Sequence, residues 1–269
     1  MASTRKLFRP VRPLSSRFYT TEKNEDTFLH RLAKRFERYN PPGDSHAKLL
    51  TSQRHIYEMQ VHNIRPDKLD EYMKIAEETL PKVHDEASLP VQLLGSWYTI
   101  IGPQDQAVHI WFYENGWDDV TFTHNKLHHD REWRDYVMHL RSLLRSRKSQ
   151  MLMEFSFWGK PQPRKPGGIY ELRSYSLKPG TLLSWGNEWQ RGIKFRSEEK
   201  EAVGGWFSQI GKLYQVHHMW AYENLTRRKE IRENAWMRPG WEDVWAHTVP
   251  LVESMKSKVL LPASFSPLN

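Results

Sequence analysis

Cysteine is absent from this 269-residue chain. Its absence excludes disulfides, thiolate metal sites and cysteine nucleophiles, and removes the usual guide to redox compartment. No run of about 18 apolar residues occurs, so no spanning helix is expected. A glycine-rich phosphate loop, a dinucleotide fingerprint, an HExxH helix and a Ser-His-Asp arrangement are also missing. No catalytic motif stands out, and no metal or cofactor is called for. Acids are missing from the first 21 residues, which carry Arg5, Lys6, Arg9, Arg12 and Arg17. Those five positives supply most of the net charge of +8, so the rest is only weakly basic and nucleic acid is not an expected partner.

What is present begins with that leader. Met1–Thr21 is Arg-rich, dotted with Ser and Thr and free of acids, the composition of a mitochondrial transit peptide. A positive segment is drawn along an inner-membrane potential by about 2.3 kcal/mol per charge per 100 mV. Arg17-Phe18-Tyr19-Thr20 fits a matrix-processing site with cleavage after Tyr19. Pro10 and Pro13 limit any long amphipathic helix. Residues 22–52 form a second leader, in which Phe28, Leu32 and Phe36 share the spacing of a short amphipathic helix.

The body repeats itself. Ile56-Tyr57-Glu58-Met59 returns as Ile169-Tyr170-Glu171-Leu172, and Gly95-Ser96-Trp97-Tyr98 as Gly204-Gly205-Trp206-Phe207. Val108-His109-Ile110-Trp111 returns as His217-His218-Met219-Trp220, and Leu152–Phe157 as Leu260–Phe265. The repeats span residues 53–158 and 168–269, joined by a Pro-rich linker at 159–167. Each reads β-α-β-β-α-β, the ferredoxin-like order. In the first copy the expected elements are strand 54–62, helix 67–84, strands 93–101 and 107–114, one long helix over 117–146, and strand 150–158. Ile110-Trp111-Phe112-Tyr113 and Met151–Trp158 are apolar on both strand faces. Helices on one side cover only one face. The predicted fold is therefore α+β: two ferredoxin-like repeats packed sheet to sheet as a fused, pseudo-dimeric α+β barrel.

Several side chains could carry chemistry. His109 and His218 are equivalent, as are Glu58 and Glu171, and alternation puts Arg173 on the face of Glu171. One reading places these five in the barrel cavity, around a small molecule or haem, with a carboxylate of raised pKa. The plainer reading is hydrogen-bonded histidines for strand packing and a structural Glu171–Arg173 pair. His124 and His128 lie one helical turn apart, a spacing able to chelate a metal, but no third ligand accompanies them and a polar helix face is preferred.

Long strings in this sequence resemble the NIPSNAP family: Ile169-Tyr170-Glu171-Leu172-Arg173-Ser174-Tyr175-Ser176-Leu177-Lys178-Pro179-Gly180-Thr181, Ala202-Val203-Gly204-Gly205-Trp206-Phe207-Ser208-Gln209-Ile210-Gly211, and Val216-His217-His218-Met219-Trp220-Ala221-Tyr222. The resemblance covers about residues 17 to 269. It implies a dimeric-α+β-barrel-like fold, mitochondrial residence, possible oligomers with related members, and a role in quality control. In that role, family proteins on damaged mitochondria recruit autophagy receptors and ubiquitin-like autophagy modifiers. Trp117-Asp118-Asp119-Val120 and Trp241-Glu242-Asp243-Val244 have the aromatic-x-x-aliphatic form that such modifiers bind by strand addition. Both follow glycine and could equally open helices, which would bar that mode. The expectation is a non-enzymatic scaffold. The alternative is a small-molecule-binding or oxidoreductase-like barrel enzyme.

Overall fold

A computed structural model describes residues 49–164, 167–196 and 200–269. The first repeat supplies β1 (Ile56–Ile64), α1 (Leu69–Asp85), β2 (Gln92–Ile101), β3 (Gln106–Tyr113), α2 (Trp117–His129), α3 (Arg131–Leu143) and β4 (Leu144–Glu154). The second supplies β5 (Ile169–Leu177), α4 (Leu182–Gly192), β6 (Ala202–Ile210), β7 (Gln215–Tyr222), α5 (Leu225–Trp236), α6 (Trp241–Thr248) and β8 (Val252–Pro262). The processing site Arg17, Phe18, Tyr19, Thr20 and the helix expected around Phe28 lie outside the described residues. Among those described, no helix is long and apolar enough to cross a membrane.

All strand pairings are antiparallel, and the order β1-β3-β2-β8-β5-β7-β6-β4 closes on itself. Closure comes from the fourth strand of each repeat. β4 pairs with β1 and then, through Met151–Glu154, with β6 of the other repeat. β8 pairs with β5 and, through Val259–Pro262, with β2. Among the described residues no strand is left with an open edge, the general advantage of a barrel.

Alternation sorts each strand into a luminal and an outer row. Tyr57, Met59, Trp97, Ile110, Trp206 and Met219 pack together in the lumen. Towards one end the lumen turns polar: Gln106 donates to Asn63 at 2.7 Å, and Gln150 donates to Gln215 at 2.9 Å. The outer rows carry Ile56, Trp111 and Tyr113 in the first repeat and Tyr175, Trp220 and Tyr222 in the second, each under its own helices. On α1, Tyr72, Ala76, Leu80 and Val83 recur at helical spacing and are buried against the sheet.

Two elements of the first repeat differ most from the sequence reading. The helix expected over 117–146 is two helices, because Asp130 leaves helical geometry at ψ 129° and its side chain accepts from the Trp133 amide at 2.7 Å. The last strand of the first repeat, expected over 150–158, runs Leu144–Glu154 and so takes in residues expected to end the long helix. Phe155 donates its amide to Gly205 at 3.0 Å, and its ring packs between Trp185 and Phe207 of the other repeat. Trp158 lies on Trp189 and Trp220. Gly205 is required there, since a Cβ would sit 2.3 Å from the Trp158 ring. The exchange is reciprocal: Ala263 donates to Ser96 at 2.9 Å, and Phe265 packs into the first repeat's helical layer.

Phe155 is thus a tie between repeats as well as a core residue. Phe155→Ala is expected to lower unfolding free energy by about 3–5 kcal/mol in urea, and Phe155→Asp to prevent folding. A loss below about 1 kcal/mol for the alanine variant would overturn the tie.

Candidate functional site

Strand alternation puts Glu58, Gln60 and His62 in one row on β1, and the structure places that row on the outer face of the sheet, beneath α2 and α3. Glu58 Oε1 accepts from Gln60 Nε2 at 2.9 Å, and Oε2 accepts from Tyr113 OH at 3.1 Å. His124 Nε2, from α2, lies 3.4 Å from Oε2. Burial pushes the Glu58 carboxyl up, but the hydrogen bonds from His124, Gln60 and Tyr113 outweigh it and hold it below its usual value. The half-exposed His124 is raised in turn by its hydrogen bond to Glu58.

Beside this pair runs a buried chain of hydrogen bonds. Ser96 Oγ meets His109 Nδ1 at 2.7 Å, His109 Nε2 meets Tyr72 OH at 2.7 Å, and Tyr72 OH meets His62 Nδ1 at 2.8 Å. Burial depresses both histidines, His62 to about 4 with help from the Arg147 charge and His109 well below its usual value, so both are neutral near pH 7. A neutral imidazole donates through one nitrogen and accepts through the other, so the chain can hold or shift a proton between Ser96 and His62.

His62, Glu58 and His124 all face a cavity of about 610 Å³ between the outer sheet face and the helices. That is a small-molecule volume, within the ~300–1,000 Å³ usual for ligand sites. Val91, Trp111, Leu127, Trp133 and Val137 give it apolar walls. Thr123 adds a buried hydroxyl with no hydrogen-bond partner among the described residues. Arg134, Arg141, Arg147 and Lys148 line it from exposed positions.

The same place in the second repeat is nearly solid, with a cavity of about 100 Å³. Glu171, equivalent to Glu58, accepts two 2.8 Å bonds from Arg228, one of 2.8 Å from Arg173 and one of 2.6 Å from Ser257. Burial opposes its charge, but these hydrogen bonds and cations hold its carboxyl far below the usual range. Trp185 and Trp189 stand where α1 has Tyr72 and Ala76. His218, equivalent to His109, accepts from Trp220 Nε1 at 2.8 Å and leaves Nε2 buried without a partner among the described residues. One repeat is therefore packed and ion-paired, and the other is hollow.

The five residues assigned to the barrel cavity thus lie elsewhere. Glu58, His109, Glu171, Arg173 and His218 all sit on the outer face, and the lumen is filled. Alternation grouped them, but β3 and β7 are apolar in both phases, so hydrophobicity could not say which row faces inward. The Glu171–Arg173 pair and the hydrogen-bonded His109 agree with the plainer structural reading. Trp117, Asp118, Asp119 and Val120 form the first turn of α2, with Asp119 accepting from the Asn115 amide at 2.8 Å. Trp241 and Val244 open α6 and are buried. Neither segment is an extended edge, so the strand-addition mode would require unfolding a helix. His124 and His128 both line the cavity, and no group of three or more potential ligands converges on a metal-sized site among the described residues. Sequence reasoning missed Tyr72, Arg147 and His62; for His62 the signal was there, two residues past Gln60 on the Glu58 face.

The pair sets a pH window. His124's raised pKa adds stability that is complete below its ordinary 6.5 and is lost as pH rises through the folded value. Glu58's lowered pKa adds stability that is present above its ordinary 4.5 and is lost as pH falls through the folded value. The attraction is therefore fullest between those two ordinary values. In an NMR titration His124 should titrate above 6.5, and Glu58→Gln should bring it down. An unchanged His124 titration in that variant would dismiss the pair.

The NIPSNAP family model matches residues 57–158 and 170–267. Protein NipSnap homolog 2 of Homo sapiens is 46% identical over 258 residues, covering 94% of this chain and 90% of the relative. Protein NipSnap of Drosophila melanogaster is 40% identical over 260 residues, covering 96% of this chain and 93% of the relative. Among solved structures, an anthrone oxidase-like protein has a TM-score of 0.59 at 9% identity, covering 82% of this chain and 96% of its own. A monooxygenase-like protein of Lactobacillus acidophilus has a TM-score of 0.58 at 13% identity, covering 79% and 95%. At those identities the likeness is one of fold. With both repeats matched and close relatives spanning nearly its whole length, the chain belongs to the NIPSNAP family.

Proposed function

We propose that this chain is a mitochondrial quality-control scaffold that recruits autophagy receptors and ubiquitin-like autophagy modifiers to damaged mitochondria. The observation that carries this reading is its end-to-end kinship with NipSnap homolog 2, at 46% identity over 94% of the chain. The Arg-rich, acid-free leader supports import. A barrel lumen packed with Tyr57, Trp97 and Trp206 supports a structural rather than a catalytic barrel. Because the two acidic Trp segments are helix starts, recruitment uses another surface. Trp236 and Trp245 lie 5.7 Å apart on the second repeat's helices, 48% and 49% exposed, beside Met237 at 79%. Exposed aromatics of this kind suit a protein partner.

The second reading, a small-molecule-binding or oxidoreductase-like barrel enzyme, is favoured by one observation: the first-repeat cavity around Glu58, His62 and His124. Its fold neighbours lend it shape without chemistry.

Affinity purification from intact and depolarised mitochondria tests the scaffold. Autophagy receptors should be enriched after depolarisation, and Trp236→Ala with Trp245→Ala should weaken capture at least about tenfold, or 1.4 kcal/mol, at unchanged thermal stability. Equal capture by a folded double variant would move the contact off this patch. No receptor in either sample would overturn the reading. A fusion of residues 1–30 to a neutral reporter should enter mitochondria, and a cytosolic reporter would refute import.

A further inference from the structure

We infer that the first-repeat cavity binds an amphipathic monoanion: a small molecule with an aromatic or branched apolar body and one acidic group, such as a carboxylate. The inference rests on the second reading above, that this cavity is a ligand site, and adds the class of ligand.

Charge decides the class. Glu58 is the one acid among the lining residues, and His124 already stands against it. The four cations Arg134, Arg141, Arg147 and Lys148 have no ion-pair partner among the described residues, although nearby Arg131 and Arg145 are paired with Asp135 and Asp105. The lining is thus net positive with its acid spoken for. The positive charge is felt inside, since Arg147 is one of the groups that disfavour a proton on His62.

The second repeat supplies an internal control. Counting back 108 residues from Trp241 to Trp133, Arg134 corresponds to Glu242, Arg141 to Val249, Arg147 to Met255 and Lys148 to Lys256. Three of the four cations are therefore peculiar to the hollow repeat. The small cavity left beside Trp189 is lined by Arg173, Arg196 and Arg232, and two of these are held in ion pairs, Arg173 with Glu171 and Arg196 with Glu201. Large open volume and four exposed cations without an ion-pair partner among the described residues occur together only in the first repeat, the combination a site for an anion requires.

The remaining walls set the rest of the ligand. Trp111 and Trp133 offer flat apolar surface, with Val91 and Val137 around them. Thr123 carries an unpartnered hydroxyl, and His62, whose Nδ1 is held by Tyr72, has its Nε2 to offer. A hydroxyl or carbonyl on the body would meet these groups while the acid stays at the rim.

Two fluorescent probes of one shape test the inference. 1-Anilinonaphthalene-8-sulfonate carries the anion, and N-phenyl-1-naphthylamine lacks it. The sulfonate probe should bind the full chain saturably, one per chain, and at least about tenfold more tightly than the neutral probe. Arg134→Glu with Arg147→Glu, both exposed, should remove that preference and leave neutral-probe binding in place. Val137→Trp, copying Trp245 of the filled repeat, should block both probes, with circular dichroism and thermal unfolding to show that it folds. Trp236→Ala with Trp245→Ala should leave binding unchanged, placing the probe away from the exposed aromatic patch. Equal binding of both probes, indifferent to the charge reversal but blocked by Val137→Trp, would overturn the anion class and keep the cavity as a ligand site. Failure of both probes to bind would overturn the inference and the ligand-site reading together.

Discussion

A strand that must serve two partners organises this molecule. β4 and β8 each begin on the first strand of their own repeat and end on the second strand of the other. A four-stranded sheet alone would expose the backbone of two edges, a costly and aggregation-prone state. Sharing the fourth strand removes all four edges at once. It also carries Phe155–Trp158 and Ala263–Phe265 across the seam, so each helical layer is completed by residues from the other half. Neither repeat has a finished core without its neighbour.

That mutual dependence leaves the two outer layers free to diverge. Both start from a buried glutamate on the first strand and a histidine on the third. In the second repeat the glutamate is satisfied by Arg173, Arg228 and Ser257, and tryptophans fill the space above it. In the first repeat a half-exposed histidine on a helix satisfies it, and the space stays open. Buried ion pairs break even at best against apolar packing, so the second arrangement chiefly fixes a unique geometry. The first trades packing for volume.

Much of this was legible in the residues. The order of matched strings along the chain gave the repeat, and strands apolar on both faces required a second covering layer. The pairing of Glu58 with Glu171 and of His109 with His218 was visible too. Which way those rows point was not, because Ile110-Trp111-Phe112-Tyr113 is equally apolar in either phase. The break at Asp130 was hidden by unbroken apolar periodicity on both sides of a single capping residue. The cavity was out of reach for a different reason: it is space left open between the sheet and the helices, and unfilled volume has no pattern in one sequence.

The crossing strands also fix an order of events during synthesis. β2 is complete at Ile101, yet its closing partner β8 begins at Val252, roughly 150 residues later. At about 5–20 residues per second of chain elongation, the β2 edge waits roughly 8–30 s for its cover. The nascent first repeat is thus a sheet with a bare edge and an incomplete helical layer for a time that is long against collapse and hairpin formation.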